Sequence, residues 1–90
     1  MKAEASMGPS GISVKEKVKE AVAEVFRRNL NELSEQTSFV KDLQAKSANI
    51  LELIALLEDE FGLELSFAEV MKNNTIGAAS QYIQGRLRTK

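Results

Sequence analysis

The 90-residue sequence contains no cysteine and no histidine. Their absence excludes a protein thiol nucleophile, a Cys/His zinc site and a Ser-His-Asp triad. It also excludes disulfide staples, so the fold must stand on its apolar core, and the redox compartment is left open. Long hydrophobic runs are missing too. The longest, Leu53 to Leu57, falls far short of the roughly 20 residues that span a bilayer. Glu4 and Ser6 stand where a signal peptide needs an apolar stretch. A non-membrane, cytoplasmic chain is therefore expected. The only proline, Pro9, lies outside every helical segment, and no stretch alternates as a strand or repeats another. A domain of this length buries roughly 60–65% of its unfolded surface. That suffices for one core and leaves little room for a deep, water-excluding active site, so no enzyme and no metal centre are expected.

What is present is unevenly charged. The formal net charge is −1, but residues 1–30 carry +2, residues 31–70 carry −7 and residues 71–90 carry +4. An acidic middle between basic ends reads either as an electrostatic address or as an ordinary solvated helix face.

Residues 1–12, with Gly8, Pro9, Ser10 and Gly11 close together, read as a mobile leader, and 13–88 as a single helical domain. Ser13 and Glu16 form a capping-box pattern opening a first helix, with Val14, Val18, Ala21, Val22, Val25 and Phe26 as its stripe. Arg27 and Arg28 fall in its last turn, where cations favour the dipole. Leu30 to Lys46 reads as a long loop anchored by Leu30, Leu33, Phe39, Val40 and Leu43. A second helix starts near Ser47, with Ile50, Leu53, Ile54, Leu57 and Phe61 on one face and Leu51 off its centre. Gly62 suits the left-handed position that ends it. Ser66 and Glu69 form another capping box before a short helix closed by Asn73 and Asn74. Thr75 caps a last helix with Ile76, Ala79, Tyr82, Ile83 and Leu87 inward. The fold class is all-α: a small four-helix bundle of three main helices and one short one, with a long first loop.

Few residues offer chemistry. Glu58, Asp59 and Glu60 form an acidic run, but an acid/base pair needs a walled cleft to separate its pKa values. Arg86, Arg88 and Lys90 lack interleaved aromatics and read as dipole complement rather than a nucleic-acid site. Ser47 stands apart because it opens the most hydrophobic helix. A serine there is an N-cap, or a hydroxyl that carries a phosphate ester at a helix end whose free N–H groups and dipole favour anions.

The stretch from Ser38 to Leu53, with its Phe39-x-x-Asp42-Leu43 lead-in and Ser47, resembles the acyl carrier proteins. The likeness continues through Leu56-Leu57-Glu58-Asp59-Glu60-Phe61-Gly62-Leu63-Glu64-Leu65 and resumes at Asn74-Thr75-Ile76, covering roughly residues 14–86. It implies that Ser47 receives 4′-phosphopantetheine from coenzyme A through a separate phosphopantetheinyl transferase. The arm's thiol then carries acyl groups as thioesters for fatty-acid, lipid or polyketide-type biosynthesis. It implies further that the second helix docks on basic patches of acyl-transferring or acyl-modifying enzymes. The matching residues here are Glu52, Glu58, Asp59 and Glu60, with Leu51 and Ala55 as apolar contacts. Fatty cargo is expected between the second and third helices, against Ile54, Leu57 and Phe67. A monomer without nucleic-acid or membrane partners is expected.

The sequence departs from the family where the chemistry sits. The family motif Asp-Ser-Leu is Lys46-Ser47-Ala48 here, and Asn49 takes an often acidic position. Lys46 reverses a charge that the family shows to its partners, and it can pair with the phosphodiester of an attached arm. A specialised carrier is the reading these residues favour. An aminoacyl or peptidyl carrier remains open, as do an unmodified interaction module in which Ser47 is only a cap and a helical domain resembling carriers by core pattern alone.

Overall fold

The computed structural model describes residues 13–89, and the side chains of 13–88. The leader 1–12 and Lys90 lie outside the described residues. Among the described residues four α-helices follow in order: α1 (Val14–Phe26), α2 (Ser47–Phe61), α3 (Phe67–Lys72) and α4 (Ile76–Thr89). A single 3₁₀ turn, Leu30–Glu32, interrupts the long connection after α1. No strand occurs among the described residues; there is only an isolated antiparallel bridge between Ser38 and Thr75.

The apolar stripes build one core. Val18 and Val22 of α1, Ile50, Leu53 and Leu57 of α2, Val70 of α3 and Ile76 and Ile83 of α4 are almost wholly buried. The loop adds Phe39, with no exposure, and Leu33 and Leu43. Each fully buried aliphatic side chain contributes about 1.5–3 kcal/mol of transfer free energy, so the stripes dominate the fold's stability. α1 packs on α2 and α4, and α2 packs on α3. Lys17, early in α1, pairs with Glu60, late in α2, at 2.6 Å. The two helices therefore run antiparallel, and the end of α1 lies beside the start of α2.

The helix ends depart from the sequence reading in instructive ways. Ser13 Oγ accepts the Glu16 N–H at 3.0 Å and Ser66 Oγ accepts the Glu69 N–H at 3.3 Å, so one half of each capping box forms. At Ser66 the reciprocal half is absent, because its N–H is donated to the Tyr82 hydroxyl at 3.1 Å instead. Gly62 ends α2 at φ 65°, as expected of glycine. Arg27 and Arg28 lie beyond α1 rather than in its last turn. Arg27 itself takes the left-handed position at φ 56°, and the Arg28 N–H reaches back to the Ala23 carbonyl at 3.0 Å.

Candidate functional site

Ser47 is positioned by a loop that its own sequence folds down. Phe39 and Leu43 are the buried anchors. Between them the Asp42 carboxylate accepts the Ser38 N–H at 2.7 Å, and Ser38 Oγ accepts the Lys41 N–H at 3.0 Å. Such short side-chain-to-backbone bonds hold a turn where no helix or sheet ladder exists. The turn is tied across the molecule. The Phe39 N–H donates to the Asn74 carbonyl at 2.8 Å, the Ile76 N–H to Thr37 O at 3.1 Å, and the Gly77 N–H to Glu35 O at 2.9 Å. A Cβ on Gly77 would lie 3.2 Å from that same Glu35 oxygen, so glycine lets the loop approach α4. The Ala45 N–H then bonds the Phe39 carbonyl at 2.8 Å. Gln44, at φ 54°, turns the chain into α2.

At the head of α2 the residues divide differently from the sequence expectation. Lys46, extended at φ −102° and ψ 168°, is the N-cap, and Ser47 is the first helical residue. Ser47 is exposed, and its hydroxyl has no hydrogen-bond partner among the described residues, so it caps nothing. Lysine has no acceptor to offer the helix. The capping contact that does form is the reverse one: Asn49 Oδ1 accepts the Lys46 N–H at 2.9 Å. The N–H groups of Ser47, Ala48 and Asn49 precede the first intrahelical bond, from the Ile50 N–H to Lys46 O at 3.0 Å. A free hydroxyl, uncapped amides and an exposed ammonium at Lys46 suit a phosphodiester: they supply a point of attachment, donors and positive charge.

Helical spacing sorts the rest of α2 into faces. Ile50, Leu53, Ile54 and Leu57 are buried. Ala48, Glu52, Ala55 and Asp59 recur at spacing 4, 3, 4 and all are exposed, which makes them one outward stripe. Leu51 stands beside it at 55% exposure, a large apolar side chain left open to solvent. Ser47, Leu51, Ile54 and Glu58 form the neighbouring stripe.

Two of the acids expected on the docking face have partners inside the molecule. The Glu58 carboxylate accepts the Leu65 N–H at 2.8 Å, which ties the end of α2 to the segment leading into α3. Glu60 points to α1 and pairs with Lys17; the hydrogen bond that the Lys17 ammonium donates to Glu60, and then the charge of Glu60, raise the Lys17 pKa. Glu52 and Asp59 have no ion-pair partner among the described residues. Of the residues expected around cargo, Ile54 and Leu57 are in the core, while Phe67, the first residue of α3, is 38% exposed.

An open groove of about 670 Å³ lies between α1 and α2, past Glu24 and Arg27 on one side and Glu52, Ala55 and Asp59 on the other. Arg27 thus stands at the edge of the acidic face. Sequence reasoning missed this, because it kept Arg27 inside the helix. It also missed the Glu58–Leu65 contact, whose seven-residue separation has no sequence signature.

Comparison with known proteins matches residues 16–83 to a family model described as a phosphopantetheine attachment site. The acyl carrier protein of Lactobacillus acidophilus is 40% identical over 68 residues, covering 76% of this chain and 85% of that protein. The acyl carrier protein of Wolinella succinogenes is 37% identical over 67 residues, covering 74% of this chain and 88% of that protein. The matched span runs from the first turn of α1 to the buried Ile83 of α4, so it includes the long loop and the whole of α2.

Proposed function

Because the chain belongs to the acyl carrier protein family, we propose that Ser47 is its attachment residue, and that the protein is a specialised carrier of acyl thioesters in fatty-acid, lipid or polyketide-type biosynthesis. A family member is a carrier and not a catalyst. Its cofactor is 4′-phosphopantetheine, held covalently and installed by a phosphopantetheinyl transferase, and the loaded carrier works with acyl-handling enzymes. The arm supplies the thiol that a chain without cysteine does not encode.

The observation that carries the assignment is the free, exposed hydroxyl of Ser47 at the first position of α2. The competing role, a serine serving only as a helix cap, is not one that Ser47 fills, because the N-cap position is Lys46 and the one capping contact there runs from the Lys46 N–H to Asn49. Lys46 is proposed to sit beside the phosphodiester and to compensate one negative charge. Its ammonium also meets any transferase at the point where most carriers show an acid, which makes this protein selective among transferases.

Docking is proposed to centre on Leu51, Glu52, Ala55 and Asp59, which are free to meet a basic partner. Glu58 and Glu60 contribute charge from tethered positions. Exposed ion pairs are worth about 0–1 kcal/mol each, so a few of them steer the encounter and still permit release. Fatty cargo is proposed to enter between α2 and α3, along the stripe that runs from Ser47 to Ile54 and toward Leu57 and Phe67. The proposed carrier works as a cytoplasmic monomer. No helix among the described residues is long and apolar enough to cross a membrane.

Incubation with coenzyme A, magnesium and a broad-specificity phosphopantetheinyl transferase tests the assignment by intact mass. A gain of one phosphopantetheine, lost in Ser47→Ala, is expected, with faster loading of Lys46→Asp. Failure to gain mass with several transferases would favour an unmodified interaction module.

A further inference from the structure

We infer that the phosphodiester on Ser47 serves as the missing N-terminal cap of α2, so that loading firms the helix on which partners dock. The inference rests on Ser47 being the attachment residue. Its starting point is a contrast among the four described helices. In α1, α3 and α4 a hydroxyl accepts the third free amide: Ser13 for Glu16 at 3.0 Å, Ser66 for Glu69 at 3.3 Å and Thr75 for Ala78 at 3.0 Å. In α2, the longest of the four at 15 residues, the N-cap is Lys46 and no side chain caps the amides.

The charge there is also reversed. Glu16 and Glu69 place a carboxylate in the first turns of α1 and α3, whereas the first turn of α2 has none and begins with a cation. A lysine at this end lacks the acceptor and carries the sign that the helix dipole disfavours. The unloaded helix therefore starts without a capping acceptor for its first amides, and the one capping bond at its head runs from the Lys46 N–H to Asn49.

A phosphodiester on Ser47 Oγ corrects both defects at once. It brings acceptor oxygens and one negative charge within a side chain's length of the Ser47, Ala48 and Asn49 amides and of the Lys46 ammonium. The outer stripe of α2, from Ala48 to Asp59, is exposed and has no packing of its own to hold it. Order gained at the head of the helix therefore bears on the surface that partners meet.

Loaded and unloaded protein, distinguished by intact mass, are compared by thermal melting and by amide hydrogen exchange over residues 48–53. Loading is expected to raise the melting temperature by about 4–8 °C, the effect of one typical helix cap in a domain this small. Exchange in the first turn of α2 should slow several-fold. In Lys46→Ser, which restores an acceptor, the unloaded protein should melt higher and the gain on loading should shrink. Unloaded Ser47→Asp should recover part of the gain without any arm. Equal melting of loaded and unloaded wild type, with the mass gain in place, overturns the cap while leaving the attachment standing. So does a gain in Lys46→Ser as large as in wild type. No mass gain at all overturns the attachment and the cap together.

Discussion

Replacing Glu58 by alanine separates an acid that holds the fold from acids proposed to meet partners. The Glu58 carboxylate accepts the Leu65 N–H at 2.8 Å, and Leu65 is only 8% exposed. Alanine leaves that part-buried amide without its acceptor. Stranding such a group costs about 1–3 kcal/mol. In a domain of this length each kcal/mol lowers the melting temperature by about 4–8 °C, so Glu58→Ala is expected to melt roughly 4–24 °C below wild type. Glu58→Gln keeps an acceptor oxygen in reach and should recover most of the loss. Asp59→Asn and Glu52→Gln change exposed groups without ion-pair partners among the described residues, and should stay within about 0.5 kcal/mol of wild type. Circular dichroism melts of the four variants provide the measurement, with the Leu65 amide followed by nuclear magnetic resonance. The converse pattern is expected in association with a basic partner: Asp59→Asn and Glu52→Gln slow it at low salt, and the difference fades as salt is raised. If Asp59→Asn is as destabilising as Glu58→Ala, or Glu58→Ala melts with wild type, the division of the acidic run is refuted.

Phe39→Ala removes a side chain with no exposure from the loop that delivers Ser47, and is expected to lose about 3–5 kcal/mol by denaturant unfolding. Val40→Ala, at a position 39% exposed, should change stability little by comparison. Lys15 holds the Glu35 carboxyl below its ordinary pKa, first through a hydrogen bond and then through its charge. A carboxyl depressed in the folded state adds stability above its unfolded pKa, and this is lost as pH falls through the folded value. Lys15→Met should therefore move the Glu35 titration upward in a carbon-detected pH series and remove that increment, and an unmoved titration counts against the pairing. The raised pKa of Lys17, caused chiefly by the hydrogen bond it donates to Glu60, acts in the opposite sense. Its contribution is present below the unfolded lysine pKa and is lost as pH rises through the folded value.

Much of this protein was legible in one dimension. Apolar spacing specified the four helices, because a side chain's burial on a helix follows from its position modulo 3.6 residues. Ser13, Ser66, Thr75 and Gly62 marked helix ends through interactions that span three or four residues and so are written locally. The proposed attachment residue was legible for the same reason, since the loop anchors, the serine and the acidic helix lie in one continuous stretch. Tertiary structure decided what depends on neighbours distant in sequence. It tied Glu58 to Leu65 and Glu60 to Lys17, leaving Glu52 and Asp59 as acids of the proposed docking face without an ion-pair partner among the described residues. It also moved Arg27 out of α1 to the edge of the groove beside that face. At the head of α2 a shift of one residue made Lys46 the cap and released the Ser47 hydroxyl. Composition had already excluded a protein thiol and an imidazole, but which hydroxyl stood free became visible only when the backbone angles fixed where the helix begins.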